Sequence, residues 1–189
     1  MKGCDIIKII FLDIDGVLNG YNWFTYFVYG LCDKLHLRSF IRKHYDIFGV
    51  RTYCVYLLSR IVKKTGAKVV LSSSWRHGWY VPYDECIDNM KCLKDKFKRF
   101  NIEVVGITPR CMTKESYSHR ETEIKQWLST TNLSIDKFIV FDDEKFDLQG
   151  FIGNELILTS TDGNIRGHWK ENTGLKLKHV RKAIKLLNQ

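Results

Sequence analysis

Short apolar runs alternate with longer segments of helical periodicity along most of the chain. Residues 6–14 are apolar enough for a buried strand, whereas apolar side chains in residues 52–64 recur at the spacing of a one-sided helix. This alternation predicts an α/β fold with a three-layer, doubly wound and mainly parallel sheet. Strands are predicted at residues 6–14, 68–71, 102–107, 138–141 and 156–158, and helices at residues 52–64, 86–100, 177–187 and after the capping-box spacing of residues 118–121.

Two carboxylates stand at the end of the first predicted strand. Asp13 and Asp15 are separated by one residue, so their side chains would lean the same way if the extended geometry continued. Gly16 follows and would let the chain turn sharply. Two carboxylates at a strand end can divide the chemistry, one attacking or holding a metal and the other moving a proton. The alternative is an acidic turn without a chemical function.

Two further predicted strands also end in polar residues. Ser72 follows the strand at residues 68–71, and the pair Asp142 and Asp143 follows the strand at residues 138–141. Parallel strands end at one edge of a sheet, where ligands bind in open α/β folds. The three strand ends together therefore predict a single functional site.

Length and composition favour one domain spanning residues 1–189, because 44% hydrophobic content is enough for a core. Residues 20–50 fit none of the predicted elements and could form a small cap or flap insertion. The segment at residues 21–29 contains six aromatic side chains. Packing in the core or in a cap is the favoured interpretation, and stacking on single-stranded bases or a dimer surface are the alternatives.

Charge and cysteine usage bear on partners and compartment. The net charge is +9, and residues 163–189 contain seven Lys or Arg residues but a single Glu. Such a surface favours polyanions such as nucleic acid, although a solvated lysine-rich helix face would give the same pattern.

The six cysteines form no CxxC pair, which predicts free thiols in a reducing cytoplasm rather than a zinc site. No apolar stretch approaches the roughly 20 residues of a membrane span.

The strand-end residues resemble the motifs of the haloacid dehalogenase (HAD) superfamily, whose members are mostly magnesium-dependent phosphatases. Residues 13–17 (DIDGV) resemble the first motif, Ser72 the second, and residues 142–147 (DDEKFD) the fourth. Four segments are similar to HAD domains associated with RNA-repair proteins. They are residues 11–18, 70–76 and 106–109, and residues 174–175 before a terminal helix. The resemblance covers most of the chain in order and leaves residues 20–50 unexplained.

The resemblance implies a set of catalytic roles. Asp13 would be the nucleophile that forms an aspartyl-phosphate, and Asp15 would protonate the leaving alcohol and then activate water. Ser72 would hydrogen-bond the phosphoryl oxygens. Mg²⁺ would be held by Asp13, the backbone carbonyl of Asp15, and Asp143, with Asp142 and Asp147 steadying the metal shell and Asp142 able to exchange roles with Asp143.

Three assignments keep alternatives open. The third HAD motif is normally a lysine, and Arg120 lies about where it would fall, with Lys125 as the alternative. Arg76 could clamp a second phosphate, or it could form a salt bridge within its own helix. Ser73 is predicted to contact substrate, with capping of the following helix as the alternative.

The resemblance and the basic charge together predict a Mg²⁺-dependent phosphohydrolase acting on the terminal phosphate of RNA or DNA. A nucleotide or a small phosphorylated metabolite is the alternative substrate. A noncatalytic nucleic-acid-binding protein on a HAD scaffold is the second alternative, but clustered carboxylates would repel the polyanion that such a protein binds.

Overall fold

The computed structural model describes residues 6–20, 23–37, 49–111, 119–160 and 174–189. Strands and helices alternate through these residues, as the hydrophobic pattern predicts. The strands are β1 (Ile6–Leu12), β2 (Lys68–Leu71), β3 (Val104–Ile107), β4 (Ser134–Asp142) and β5 (Leu156–Leu158), and the helices are α1 (Trp23–Lys34), α2 (Thr52–Thr65), α3 (Asp88–Arg99), α4 (Arg120–Thr130) and α5 (Leu177–Asn188). Short 3₁₀ helices occupy Ser74–Gly78, Tyr83–Glu85 and Phe146–Phe151.

The five strands form one parallel sheet in the order β3-β2-β1-β4-β5. Its register determines where the site lies, because Leu12 of β1 pairs with both Leu71 of β2 and Phe141 of β4. The residue after each of these strand positions therefore emerges at the same level of one edge. The predicted parallel α/β sheet is confirmed.

Helices cover both faces of the sheet, which makes the fold three-layered. Alternate side chains of β1 enter different cores: Ile10 and Leu12 pack with α2, α3 and α5, whereas Ile9 and Phe11 pack with α4. The Phe11 ring meets Trp127 of α4 edge-on at 5.4 Å between ring centroids. Burying each such large side chain stabilises the fold by roughly 1.5–3 kcal/mol.

Element bounds differ from the predictions mainly at the strand ends. β1 stops at Leu12 instead of residue 14, and β4 begins at Ser134, four residues earlier than predicted. Helix α4 starts at Arg120 with His119 as its N-cap residue, so the predicted capping box at residues 118–121 is displaced. Residue 118 lies outside the described residues.

Helix α1 lies in the segment for which no element was predicted. Phe27 on this helix is 58% exposed, so it is not part of the core. The aromatic segment begins at residues 21 and 22, which lie outside the described residues, as do residues 38–48. A cap formed by residues 20–50 remains a prediction.

The cysteines and helices agree with the predictions that the described residues can test. Cys32, Cys54, Cys86 and Cys111 are free thiols. In the parts of the chain that are described, each helix is too short or too polar to cross a bilayer.

Candidate active site

Backbone hydrogen bonds continue past the ends of the central strands and fix the polar residues that follow. The Asp13 amide donates to the Phe141 carbonyl at 3.0 Å, and the Ser72 amide donates to the Leu12 carbonyl at 2.9 Å. Asp142 is the last residue of β4. Asp13, Ser72 and Asp142 are thus placed side by side by the sheet itself and not by a loop of adjustable shape.

A cluster of three carboxylates forms at this edge. One carboxylate oxygen from each of Asp13, Asp142 and Asp143 lies within 4.8 Å of the other two. Asp13 and Asp142 are 4% and 3% exposed. Arg120, at the start of α4, bridges them, with its Nη1 atom 2.7 Å from Asp13 Oδ1 and 2.9 Å from Asp142 Oδ2. The guanidinium offsets one of the three negative charges.

Burial and mutual repulsion disfavour the charged forms of the clustered carboxylates. Burial raises the pKa of Asp142 to about 7, against the opposing effect of Arg120 and with a further increase from the charge of Asp13. Burial, together with the charges of Asp13 and Asp142, raises the pKa of Asp143 to about 8. Burial also raises the pKa of Asp13, although the Arg120 charge and hydrogen bond act in the opposite direction.

Arg120 stays charged in this setting. Burial would lower its pKa, but the charges of Asp13 and Asp142 outweigh burial and raise the pKa above its usual value. Lys125 lies one turn further along α4, is 60% exposed, and pairs with Glu121 at 2.5 Å. The structure therefore places Arg120, and not Lys125, at the carboxylate cluster.

Asp15 lies beside this cluster in a different environment. The chain turns after Ile14, where Gly16 adopts φ 71° and the amides of Val17 and Leu18 donate to the Ile14 carbonyl. Asp15 is exposed. Its Oδ1 accepts from Asn19 Nδ2 at 2.7 Å, and its Oδ2 accepts from Trp75 Nε1 at 3.0 Å.

The two serines after β2 have different surroundings. Ser72 is 1% exposed, and its hydroxyl has no hydrogen-bond partner among the described residues. A buried hydroxyl without a partner is costly, so Ser72 is available to donate to a ligand oxygen at this edge. Ser73 is fully buried, hydrogen-bonds Asp13 and accepts from the Trp75 amide at 3.4 Å, so it caps the 3₁₀ helix that follows. A substrate contact for Ser73 remains a prediction.

Two other predicted site residues are engaged elsewhere. Asp147 lies outside the carboxylate cluster, and its Oδ1 is 3.2 Å from His119 Nδ1. Arg76 is 7% exposed and forms a buried ion pair with Glu123 at 2.7 Å. That pair reaches across to α4 and is not the salt bridge within the Arg76 helix that the sequence suggested. The Nη2 atom of Arg76 is thus occupied by Glu123, and a phosphate contact for Arg76 stays a prediction.

The sequence did not predict the roles of Asn19 and Trp75. Asn19 is 2% exposed and connects the turn to Asp15, accepting from the Gly16 amide at 2.7 Å. An Asn four residues after an acidic turn residue is the sequence signal that could have identified it. Trp75 carried no such signal, because its contact with Asp15 joins residues 60 positions apart.

The carboxylate cluster fits a divalent cation. Mg²⁺ prefers oxygen ligands and commonly binds through one or two carboxylates plus waters and phosphate oxygens. Asp13, Asp142 and Asp143 supply carboxylate oxygens at one point, and burial together with repulsion between the carboxylates raises the pKa values of Asp142 and Asp143. A doubly charged ion would relieve that repulsion.

Comparison with known proteins identifies the family. The family model described as "HAD domain in Swiss Army Knife RNA repair proteins" matches residues 9–165, a range that contains every residue of the site described above. No curated protein and no solved structure gave a significant match to the chain. The chain therefore belongs to the HAD domains of Swiss Army Knife RNA repair proteins, within a superfamily of phosphatase-type hydrolases.

Proposed function

We propose that the protein is a Mg²⁺-dependent phosphomonoesterase that removes terminal phosphates from nucleic acid through an aspartyl-phosphate. The observation that carries this proposal is Asp13, a buried carboxylate held between Arg120 and two further carboxylates, with the unpartnered hydroxyl of Ser72 on the neighbouring strand. This arrangement provides a nucleophile, charge compensation and a phosphoryl-oxygen donor at one sheet edge.

The first step transfers the phosphoryl group to Asp13. A carboxylate oxygen of Asp13 forms a bond to phosphorus while the bond to the leaving oxygen breaks, and Asp15 gives its proton to that oxygen. Arg120 holds Asp13 in place through the 2.7 Å contact. Ser72 donates its hydroxyl hydrogen to a phosphoryl oxygen. Mg²⁺ held by Asp13, Asp142 and Asp143 would neutralise charge on the phosphoryl group.

The second step returns Asp13 to its starting state. Asp15, now a carboxylate, accepts a proton from a water molecule as that water attacks phosphorus, and the bond between phosphorus and Asp13 breaks. Asp15 is exposed, so it can reach the leaving oxygen and a water molecule, and Asn19 and Trp75 orient its two oxygens. Inorganic phosphate is released and Asp15 is protonated again.

Two observations support a nucleic-acid substrate. The chain carries a net charge of +9. A cavity of about 470 Å³ beside β5 is lined by Lys145, Lys178 and Lys182, and Lys145 follows the metal-site residue Asp143 by two positions. Lysines next to a phosphate-processing site suit the backbone of a polyanion. The family description, which refers to RNA repair, agrees with this class of substrate.

The experiment that tests the proposal is a phosphate-release assay with end-phosphorylated oligonucleotides, mononucleotides and sugar phosphates, with and without Mg²⁺. We expect turnover of the oligonucleotides only with Mg²⁺, and kcat/KM falling by roughly tenfold or more between 50 mM and 200 mM salt. Equal turnover of sugar phosphates without salt dependence would indicate a metabolite phosphatase instead. Binding without turnover of any ester would indicate a noncatalytic nucleic-acid-binding protein.

A matched pair of charge reversals tests the basic cavity. Lys178→Glu changes a lysine that lines the cavity beside β5, whereas Lys98→Glu changes an exposed lysine on α3. We expect Lys178→Glu, but not Lys98→Glu, to weaken oligonucleotide turnover. Lys178→Glu should also reduce the salt dependence of turnover, because fewer phosphates are neutralised. Equal effects of the two variants would contradict a specific role for the cavity.

A further inference from the structure

A second cavity, of about 560 Å³, lies between the 3₁₀ helix Ser74–Gly78 and the first turn of α3. This volume is within the range of about 300–1,000 Å³ that is typical of small-ligand sites. The segment Ser74–Gly78 follows the end of β2, and α3 leads back to the start of the parallel strand β3. The first turn of α3 therefore lies at the same edge of the sheet as Asp13 and Asp142.

Trp75 connects this cavity to the active site. Its side chain lines the cavity, while its Nε1 donates to Asp15 Oδ2 at 3.0 Å. In the proposed reaction the leaving oxygen must lie next to Asp15, on the side of phosphorus opposite the attacking oxygen of Asp13. The group attached to the leaving oxygen therefore begins beside Trp75, at the entrance to the cavity.

The lining suits an uncharged, flat group. Trp75, Val81, Ile87 and Met90 offer apolar or aromatic surface, and His77 adds an exposed ring. None of the lining residues, all of which lie within the described residues 49–111, is Lys or Arg, and Glu85 contributes a carboxylate. Lys94 is not a lining residue, and its ammonium donates to the Val81 carbonyl and Cys86 Sγ. The cavity therefore offers a second phosphate no lining cation, unlike the lysine-lined cavity beside β5. A nucleobase has two stacking faces and a polar edge, which match this lining.

We propose that this cavity binds the base of the terminal nucleoside, the nucleoside whose hydroxyl group leaves when phosphate is removed. The inference rests on the proposed function, because the position of the leaving group follows from the role of Asp15. It assigns the cavity at Trp75 to the terminal base and the lysine-lined cavity beside β5 to the phosphate backbone.

The test compares two oligonucleotides that carry the same terminal phosphate, one with a normal terminal nucleoside and one with an abasic terminal sugar. The variants are His77→Ala and Ile87→Ala, both exposed lining residues, with Tyr80→Ala as the matched control. Tyr80 is a 69% exposed aromatic residue from the same segment and does not line the cavity. We expect wild-type protein to prefer the base-containing substrate. The double variant, which carries both His77→Ala and Ile87→Ala, should reduce that preference in kcat/KM by about tenfold. The control should change the preference by less than about twofold.

Equal rates on the two substrates in wild-type protein, or an unchanged preference in the double variant, would overturn the inference. A binding measurement distinguishes the absence of a base site from the absence of phosphatase activity. Adenosine, which carries no phosphate, is titrated while the NMR signals of the His77 ring are followed in wild-type protein and in Tyr80→Ala. Saturable shifts that Ile87→Ala abolishes would support a base site even if no phosphate ester is turned over, whereas their absence in the wild type would overturn it.

Discussion

Asp13 and Asp15 are two positions apart in the chain but lie in opposite surroundings. Asp13 is 4% exposed and is held by the charge of Arg120 beside two other carboxylates. Asp15 is exposed, and its oxygens accept hydrogen bonds from the neutral groups of Asn19 and Trp75. In the proposed reaction the buried, ion-paired carboxylate is fixed for attack, whereas the exposed one can reach a leaving group and exchange protons with water. The comparison shows how one short motif places two carboxylates in different chemical environments.

The difference arises from the point at which the strand stops. β1 ends at Leu12, and the Asp13 amide still bonds to β4, so Asp13 keeps its place in the sheet. Gly16 then adopts φ 71°, a conformation that favours glycine, and the chain turns. The turn directs Asp15 towards the segment that contains Trp75. Had the extended geometry continued to Ile14, the two carboxylates would have shared one environment.

Loss of the Asp13 carboxylate should have the largest effect. We expect Asp13→Asn to reduce kcat by roughly 10⁴-fold or more, because an amide cannot form the phosphoryl-enzyme. The measurement is phosphate release, together with trapping of the phosphorylated protein in acid. Asp136→Asn, at an exposed position on β4, is the matched control and should retain activity. Substantial turnover by Asp13→Asn would exclude Asp13 as the nucleophile.

Asp15 should matter most when the leaving group needs a proton. We expect Asp15→Asn to reduce kcat by about 10²–10⁴-fold on an oligonucleotide phosphate, the usual contribution of general acid–base catalysis. Transfer from an aryl phosphate to Asp13 should be much less affected, because its leaving group departs without protonation. Burst-phase kinetics with both esters measure the first step separately. If Asp15→Asn reduced the rate of the first step by the same factor with both esters, Asp15 would not be the proton donor.

Arg120 should come next, because it acts on Asp13 and does not itself react. We expect Arg120→Gln to reduce kcat by roughly 10²-fold through loss of charge compensation, and Arg120→Lys to recover part of that loss. Lys125→Gln is the matched control on the same helix, since Lys125 pairs with Glu121 away from the cluster. Steady-state kinetics on one substrate compare the three variants. A larger loss from Lys125→Gln than from Arg120→Gln would reverse the assignment of the third motif.

The smallest predicted effect is a pH-dependent stabilisation by Mg²⁺. Burial raises the pKa values of Asp142 and Asp143 to about 7 and about 8, above the ordinary value of 3.8. The metal-free folded state therefore binds more protons than the unfolded chain, and it loses stability as the pH rises from about 4 through about 8. Mg²⁺ binds the deprotonated cluster, so its stabilising effect should grow over the same pH window.

Thermal unfolding measures this effect. At pH 8.5 and a Mg²⁺ concentration 100 times its Kd, we expect Tm to rise by roughly 5–10 °C, and at pH 5 to change little. Asp143→Asn should remove most of the increase, whereas Asp15→Asn should keep much of it, because the Asp15 carboxylate lies outside the cluster. A Tm increase of the same size at both pH values would contradict the link between protonation and metal binding.

The sequence predicted the parts of the site that depend on strand ends. Asp13, Ser72 and Asp142 each follow an apolar run, and parallel pairing brings such positions together whatever the details of packing. Arg120 was also predicted, from its distance along the chain before Asp143. The predicted support of the metal shell by Asp147 stays a prediction; Asp147 lies in the 3₁₀ helix Phe146–Phe151, with its Oδ1 3.2 Å from His119 Nδ1.

Contacts that depend on how helices pack were not predictable in this way. The Trp75 contact with Asp15 and the Arg76 pair with Glu123 join residues 60 and 47 positions apart. No periodicity encodes such pairs, because each depends on the relative placement of a 3₁₀ helix and another element. The sequence therefore predicted which residues meet at the sheet edge better than it predicted the surroundings of Asp15.

The buried pair of Arg76 and Glu123 has a mechanical consequence. Arg76 follows Trp75 directly, and Glu123 lies one turn after Arg120 on α4. The ion pair therefore connects the segment that contacts Asp15 to the helix that contacts Asp13. With 8% and 5% of the two side chains exposed, the ion pair is shielded from salt, and in the proposed reaction it would hold the attacking and departing sides of the phosphate at a constant spacing.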